Sequence, residues 1–78
     1  MINPKQEYLM EGVTADIIYF LTKEEKMSVK DAMRTVFNSV LYEKLYDPES
    51  GLYSESSAYN YDLLKDELKY GKFVQNEI

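Results

Sequence analysis

The chain has 78 residues and a net charge of −5, and it contains neither cysteine nor histidine. A single domain of this size buries only about 60% of the surface of its unfolded chain, and without these residue types neither a disulfide nor a zinc site can add stability. The same lack removes the usual general base at neutral pH and the best nucleophile, so we expect no enzyme and no catalytic, cofactor-binding or metal-binding residues.

The first part of the chain is predicted to form one helix over residues 4–25. Asn3 is a favourable N-cap, Pro4 suits the first turn, and Gln6 lies three residues after the cap, as in a capping box. Gly12 interrupts the apolar stripe of this helix, and glycine inside a helix costs about 1 kcal/mol relative to alanine, so we expect another backbone to approach it closely. The apolar stripe runs with helical spacing through Leu9, Val13, Ile17, Phe20 and Leu21, and it is widened by Tyr8, Met10 and Ile18.

A second helix is predicted over residues 28–46. Ser28 begins it, and Asp31 follows three residues later, which is a capping-box variant with an acid near the positive end of the helix dipole. The helix ends at Asp47, because a residue before proline is disfavoured in the α region. Its apolar face is formed by Val29, Ala32, Met33, Val36, Phe37, Val40, Leu41 and Leu45.

A turn over residues 47–51 and a third helix over residues 57–70 come next. The start of this helix is left open, because several residues from Ser54 to Ser57 could serve as its N-cap, and so could Asn60. Gly51 is suited to a positive φ within the turn, and Gly71 is suited to the position just after the helix. The tail, residues 72–78, is expected either to fray or to dock through its apolar side chains. The apolar stripe of the third helix is formed by Tyr61, Leu64 and Leu68, with Tyr59, Leu63 and Tyr70 beside it.

These elements predict an all-α fold, a single domain over residues 1–78. It consists of three helices, with an ordered, tyrosine-rich connector between the second and the third. The connector, residues 41–61, holds five of the eight tyrosines. The start of the chain lacks the charge and hydropathy of a signal peptide, and no apolar stretch is long enough to span a bilayer, so we expect a cytoplasmic protein without a membrane partner.

Negative charge is concentrated in residues 43–67, which hold seven acidic and two basic residues. An acidic surface repels nucleic acid and anionic membranes, and it suits either a basic protein partner or solvation alone. The tyrosines also have two interpretations: rings packed around a small core, or a contact surface, since tyrosine is enriched at binding hot spots. The candidate partner-binding residues are Tyr42, Glu43, Tyr46, Glu49, Tyr53, Glu55, Tyr59 and Tyr61.

The sequence therefore predicts a non-enzymatic, acidic protein–protein interaction module, and two alternatives stay open. The first is a homodimeric structural protein, in which the apolar helix faces of two copies complete one core. The second is a weak DNA binder of the helix-turn-helix type. A modest basic stripe lies near the corner of the first two helices, but the acidic composition makes nucleic acid an unfavourable partner. The stripe is formed by Lys23, Lys26, Lys30 and Arg34.

The connector carries the pattern D-P-x-S/T-G-L-Y-x-x-S-x-x-Y-x-Y-x-L-L, which is matched by Asp47, Pro48, Gly51, Leu52, Tyr53, Ser56, Tyr59 and Tyr61. With this pattern, the chain beyond residue 10 resembles a group of short bacterial proteins of unknown function. The resemblance implies an antitoxin-like or other accessory role, and it carries over no catalytic residue.

Overall fold

The computed structural model describes residues 1–71 and has an all-α fold over this part of the chain, which confirms the predicted class. The predicted fraying or docking of residues 72–78 lies outside the described residues. In the described part, no helix combines the length and the apolar character needed to cross a membrane. The α-helices are α1 (Pro4–Glu24), α2 (Val29–Phe37), α3 (Val40–Leu45) and α4 (Ser57–Tyr70), and two 3₁₀ helices lie between α3 and α4, at Pro48–Ser50 and Leu52–Ser54.

The ends of α1 and α4 follow local signals in the sequence. The Asn3 side chain accepts a hydrogen bond from the Gln6 backbone N–H at 2.8 Å, and the Gln6 side chain accepts one from the Asn3 N–H at 3.0 Å, so the capping box is formed. Ser56 caps α4, and Gly71 follows it in the left-handed region, with φ of +75°. The predicted bounds of these two helices agree with the structure to within one residue.

The single helix predicted over residues 28–46 is instead two helices, because Ser39 interrupts it. The Ser39 hydroxyl donates to the carbonyl of Val36 at 2.6 Å and accepts from the N–H of Tyr42 at 3.0 Å. A serine side chain that bonds to nearby backbone groups competes with the continuous helical ladder. Ser39 thereby ends α2 and caps α3, and the described fold has one more α-helix than predicted.

The core lies around α1, which packs against both α2 and α4, while α3 packs against α4 and the two 3₁₀ helices. Each α-helix and the second 3₁₀ helix contribute buried apolar side chains. Since these elements share one contiguous cluster, the connector is part of the folded unit rather than a loop around it. The cluster is formed by Val13, Ile17, Leu21, Ala32, Val36, Leu41, Leu45, Leu52, Tyr61, Leu63 and Leu64.

The buried face of each helix is narrower than the apolar pattern predicted. On α1 the buried side chains include Met10 and Ile17, whereas Tyr8 is 75% exposed and Leu9 is 36% exposed. Two neighbouring helices cannot cover the whole of so wide a stripe, so its edge stays at the surface. The predicted core positions that are exposed on the other helices are Val29, Met33, Phe37, Val40, Leu68 and Tyr70.

Candidate interaction surface at the tyrosine-rich connector

The connector, residues 41–61, is fixed to the core near its middle. The side chain of Leu52 is fully buried, and so is that of Asn60. The Asn60 amide Nδ2 donates to the carbonyls of Leu52 and Ser56, both at 3.0 Å. Each of these carbonyls also accepts a backbone N–H, from Glu55 at 3.0 Å and from Asn60 at 3.1 Å respectively, so the Asn60 side chain adds a second hydrogen bond to each. The connector is therefore an ordered surface held by α4.

The predicted turn over residues 47–51 is present. The Asp47 carboxylate accepts from the N–H of Glu49 at 3.0 Å, and Gly51 has φ of +73°, a conformation that suits glycine. The Ser50 hydroxyl donates to the carbonyl of Asp47 at 2.9 Å. This compact arrangement leaves the Glu49 side chain exposed.

The five tyrosines of the connector divide into two groups. Tyr61 is 4% exposed and belongs to the core rather than to a contact surface. The other four are half-buried and pack one side of their rings against the core. Such rings are held in place while part of each ring faces solvent. These four are Tyr42, Tyr46, Tyr53 and Tyr59.

Three contacts orient three of the four half-buried tyrosine rings. The rings of Phe37 and Tyr42 meet edge-to-face with centroids 5.2 Å apart, and those of Tyr42 and Tyr46 are tilted by 49° with centroids 4.8 Å apart. The Tyr53 hydroxyl accepts a hydrogen bond from Nε2 of Gln6 at 3.0 Å, which ties the connector to the first turn of α1. These ring contacts and this hydrogen bond limit the rotamers that Tyr42, Tyr46 and Tyr53 can adopt.

Two tyrosine hydroxyls have raised pKa values. Burial, together with the nearby carboxylates of Glu24 and Glu25, raises the pKa of Tyr61 to about 12. Burial is also the main cause of the raised pKa of Tyr46, and the neighbouring Tyr42 and Glu11 add to it. Both hydroxyls therefore stay neutral at physiological pH.

The three candidate glutamates of the connector are exposed: Glu43 on α3, Glu49 in the turn, and Glu55 just before α4. Within residues 1–71 none of them forms an ion pair, and no three acidic side chains are grouped so that they could hold a metal ion. Their charges are therefore open to solvent or to a partner.

A groove of about 540 Å³ lies between α1 and the connector. Leu9, Gly12 and Asp16 line it on the α1 side, and residues 53–57 line it on the other. The Ser57 hydroxyl donates to the carboxylate of Asp16 at 2.6 Å and links the two sides. Of the predicted candidates, the groove brings together Tyr53 and Glu55.

The α1 side of this groove was not predicted, and the expectation for Gly12 was wrong. A Cβ atom added at Gly12 would meet no atom of the described residues within 4 Å, so no other backbone among them approaches it closely. Tyr8 and Leu9 were predicted on the core face, yet they line the groove. The only local signal for this surface was an unexplained glycine inside a helix.

Two further surfaces are relevant to the homodimer and to the helix-turn-helix DNA binder, the two alternative functions. An exposed apolar row on α2 consists of Val29, Met33 and Phe37, and it continues to Val40 at the start of α3. The predicted basic stripe, Lys23, Lys26, Lys30 and Arg34, is also exposed, although Arg34 pairs with Asp31 at 3.0 Å. The helix-turn-helix alternative stays a prediction, which a salt-dependent gel shift with random duplex DNA would test.

Comparison with known proteins finds no relative: no family model, no curated protein and no solved structure matches the chain. The resemblance to short bacterial proteins stays a prediction. Function is therefore argued from the geometry of the surfaces described above.

Proposed function

We propose that this protein is a non-enzymatic interaction module whose acidic connector surface binds a basic segment of a partner protein. The observation that carries the proposal is a combination found on one ordered segment. Exposed glutamates without an ion pair in the described residues lie on the same segment as tyrosine rings that the core holds half-buried.

The tyrosines supply the larger share of the binding free energy in this proposal. A ring already fixed by neighbours, as Tyr42 is by Phe37 and Tyr46, loses little side-chain entropy when a partner covers its exposed edge. Aromatic side chains of this kind are enriched at hot spots. Tyr53 is fixed in the same sense by its hydrogen bond with Gln6.

The glutamates supply attraction at a distance. Exposed charges change mainly the association rate and its salt dependence, and they disfavour partners of like charge. The net charge of −5 also favours association with a basic partner and disfavours an acidic one. We therefore expect a basic partner that binds more weakly as the salt concentration rises.

The test is a comparison of two triple variants in a capture experiment from the organism that encodes the protein. The first variant carries Glu43→Lys, Glu49→Lys and Glu55→Lys. The matched control carries Glu7→Lys, Glu24→Lys and Glu25→Lys, which change the net charge equally at exposed positions of α1 and its C-cap.

Wild type and control are expected to retain one dominant basic protein at moderate salt, identified by mass spectrometry, and the connector variant is expected to lose it. Equal loss by the two variants would show that net charge, not the connector, governs binding, and equal retention would show that neither does; the proposal would fail in both cases. An antitoxin-like role would be a special case, recognised if the captured protein is encoded beside this one.

A homodimer is the second candidate, because the α2 row leaves large apolar side chains uncovered. Val29 is 61% exposed and Phe37 is 44% exposed. Pairing of this row with a second copy would remove it from water and enlarge a small core. Light scattering at high concentration is the test: the wild type would be dimeric and Met33→Lys monomeric, whereas a monomeric wild type would exclude this candidate.

A further inference from the structure

Gly12 lies in the middle of α1, and nothing within the described part of the chain requires a glycine there. Its backbone is helical and its φ is not positive, so any L-residue can adopt it. An added Cβ would have no atom of residues 1–71 within 4 Å. Glycine inside a helix lowers stability relative to alanine. The residue is therefore explained neither by conformation nor by internal packing.

The position of Gly12 suggests an external reason for it. Gly12 lines the groove between α1 and the connector, with Leu9 and Asp16 close by on the same helix. Without a side chain at this point, the backbone of α1 is open to whatever enters the groove. Glycine allows such close approach of a ligand to a helix backbone.

The groove is formed before any ligand binds. One side is tied to the other by the hydrogen bond between Ser57 and Asp16 at 2.6 Å, and Tyr53 is tied to α1 through Gln6 at 3.0 Å. Asn60 holds the residues that precede α4. A preformed groove does not have to be ordered on binding, which lowers the free-energy cost of association.

The lining of the groove defines the chemistry of its occupant. Its charged residues are Glu11, Asp16 and Glu55, and within residues 1–71 no cationic residue lines it. Leu9 and Val13 supply apolar surface between these carboxylates. This combination is complementary to an apolar side chain flanked by arginine or lysine.

We propose that the groove receives a basic segment of a protein partner, and that an apolar side chain of this segment lies against the backbone of α1 at Gly12. The inference rests on the proposed function, since it assigns the basic partner of the connector to one place. It also predicts that a side chain at position 12 blocks binding without harming the fold.

The experiment uses the full chain and a short acetylated and amidated peptide in which arginine and leucine alternate, followed by heteronuclear NMR. The blocking variant is Gly12→Leu. The matched control is Ala15→Leu, which adds the same side chain at an exposed position of the same helix that does not line the groove. A peptide in which glutamate and leucine alternate controls for charge.

The expected result is that the basic peptide shifts the amide resonances of Gly12 and of residues 53–57, and that the acidic peptide does not. Gly12→Leu should melt no lower than wild type and bind the basic peptide at least about tenfold more weakly, while Ala15→Leu binds it like wild type. Unchanged binding by Gly12→Leu, or no binding by wild type, would overturn the inference.

Failure of this inference can be told apart from failure of the proposed function. If Gly12→Leu still captures the native partner while the variant with Glu43→Lys, Glu49→Lys and Glu55→Lys does not, the connector surface is correct and the groove is wrong. If both variants capture it like wild type, both proposals fail.

Discussion

Glu67 of α4 caps the N-terminus of α3, which begins 27 residues earlier in the chain. Its Oε2 accepts from the N–H of Val40 at 2.8 Å, and its Oε1 accepts from the N–H of Leu41 at 2.9 Å. The first N–H groups of a helix have no partner within the helix, and a carboxylate also interacts favourably with the helix dipole there. Through this contact α4 fixes the position of the short helix that carries Tyr42 and Glu43.

Glu67→Ala is expected to destabilise the protein by about 1–2 kcal/mol, because it leaves two backbone donors of α3 without their acceptor. Urea denaturation at neutral pH measures the change. The control is Asp66→Ala, since Asp66 accepts no hydrogen bond within residues 1–71 and its loss should cost far less. Equal effects of the two substitutions would contradict the capping role.

Asn60→Ala is expected to lower the free energy of unfolding by about 1–3 kcal/mol, because two hydrogen bonds of a fully buried side chain are lost, although both carbonyls keep a backbone N–H donor. The loss of stability should be largest in the residues before α4, whose carbonyls Asn60 binds. Hydrogen exchange is the local measurement: relative to wild type, the amides of residues 53–57 should be accelerated more than those of α1. Uniform acceleration across both regions would show that Asn60 supports the whole core and not the connector in particular.

Gly12→Ala is expected to raise the free energy of unfolding by about 0.5–1 kcal/mol, because the new Cβ has room and the unfolded chain loses freedom. In a domain of this size that corresponds to a rise in melting temperature of about 4–8 °C per kcal/mol. Ala15→Gly on the exposed side of the same helix should give a change of opposite sign and similar size. A melting temperature below that of wild type would mean that Gly12 has an internal structural role after all.

The sequence predicts those parts of the fold whose cause is local. Asn3 caps α1 and Ser56 caps α4, because the side chain of each bonds to an amide three residues later. The Asn3 cap can be recognised in the sequence, whereas Ser56 is one of several serines there that could cap α4. The break at Ser39 could not be predicted with the same certainty. A serine is tolerated within a helix, and the second acceptor for α3, Glu67, arrives from another helix.

The candidate surface was likewise predicted only where its cause is local in the sequence. The connector residues are contiguous in the chain, so their charge and aromatic content can be read directly from the sequence. The burial of Tyr61 and the exposure of Tyr8 depend on which side of each helix its neighbours cover. The groove depends on α1 and residues 53–57 coming together, which no pattern within either segment specifies.

Tyr61→Phe is expected to change the pH dependence of stability in alkaline solution. The pKa of Tyr61 is about 12 in the folded protein against an ordinary value of 10.0, so the folded state holds the phenolic proton more tightly than the unfolded state does. The stabilisation is fully present below about pH 10 and is lost as the pH rises towards about 12. At neutral pH the hydroxyl is buried without a hydrogen-bond partner in the described residues, so its removal should change stability by no more than about 1 kcal/mol.

Lysines also titrate in this pH range, so the loss of stability of the wild type must be compared with that of Tyr61→Phe. Urea midpoints of both proteins are measured at about pH 9 and about pH 11. The wild type should lose more stability between these two pH values than the variant does. Parallel losses would mean that Tyr61 ionises equally well in the folded and unfolded states, which would contradict its burial against α1 beside Glu24 and Glu25.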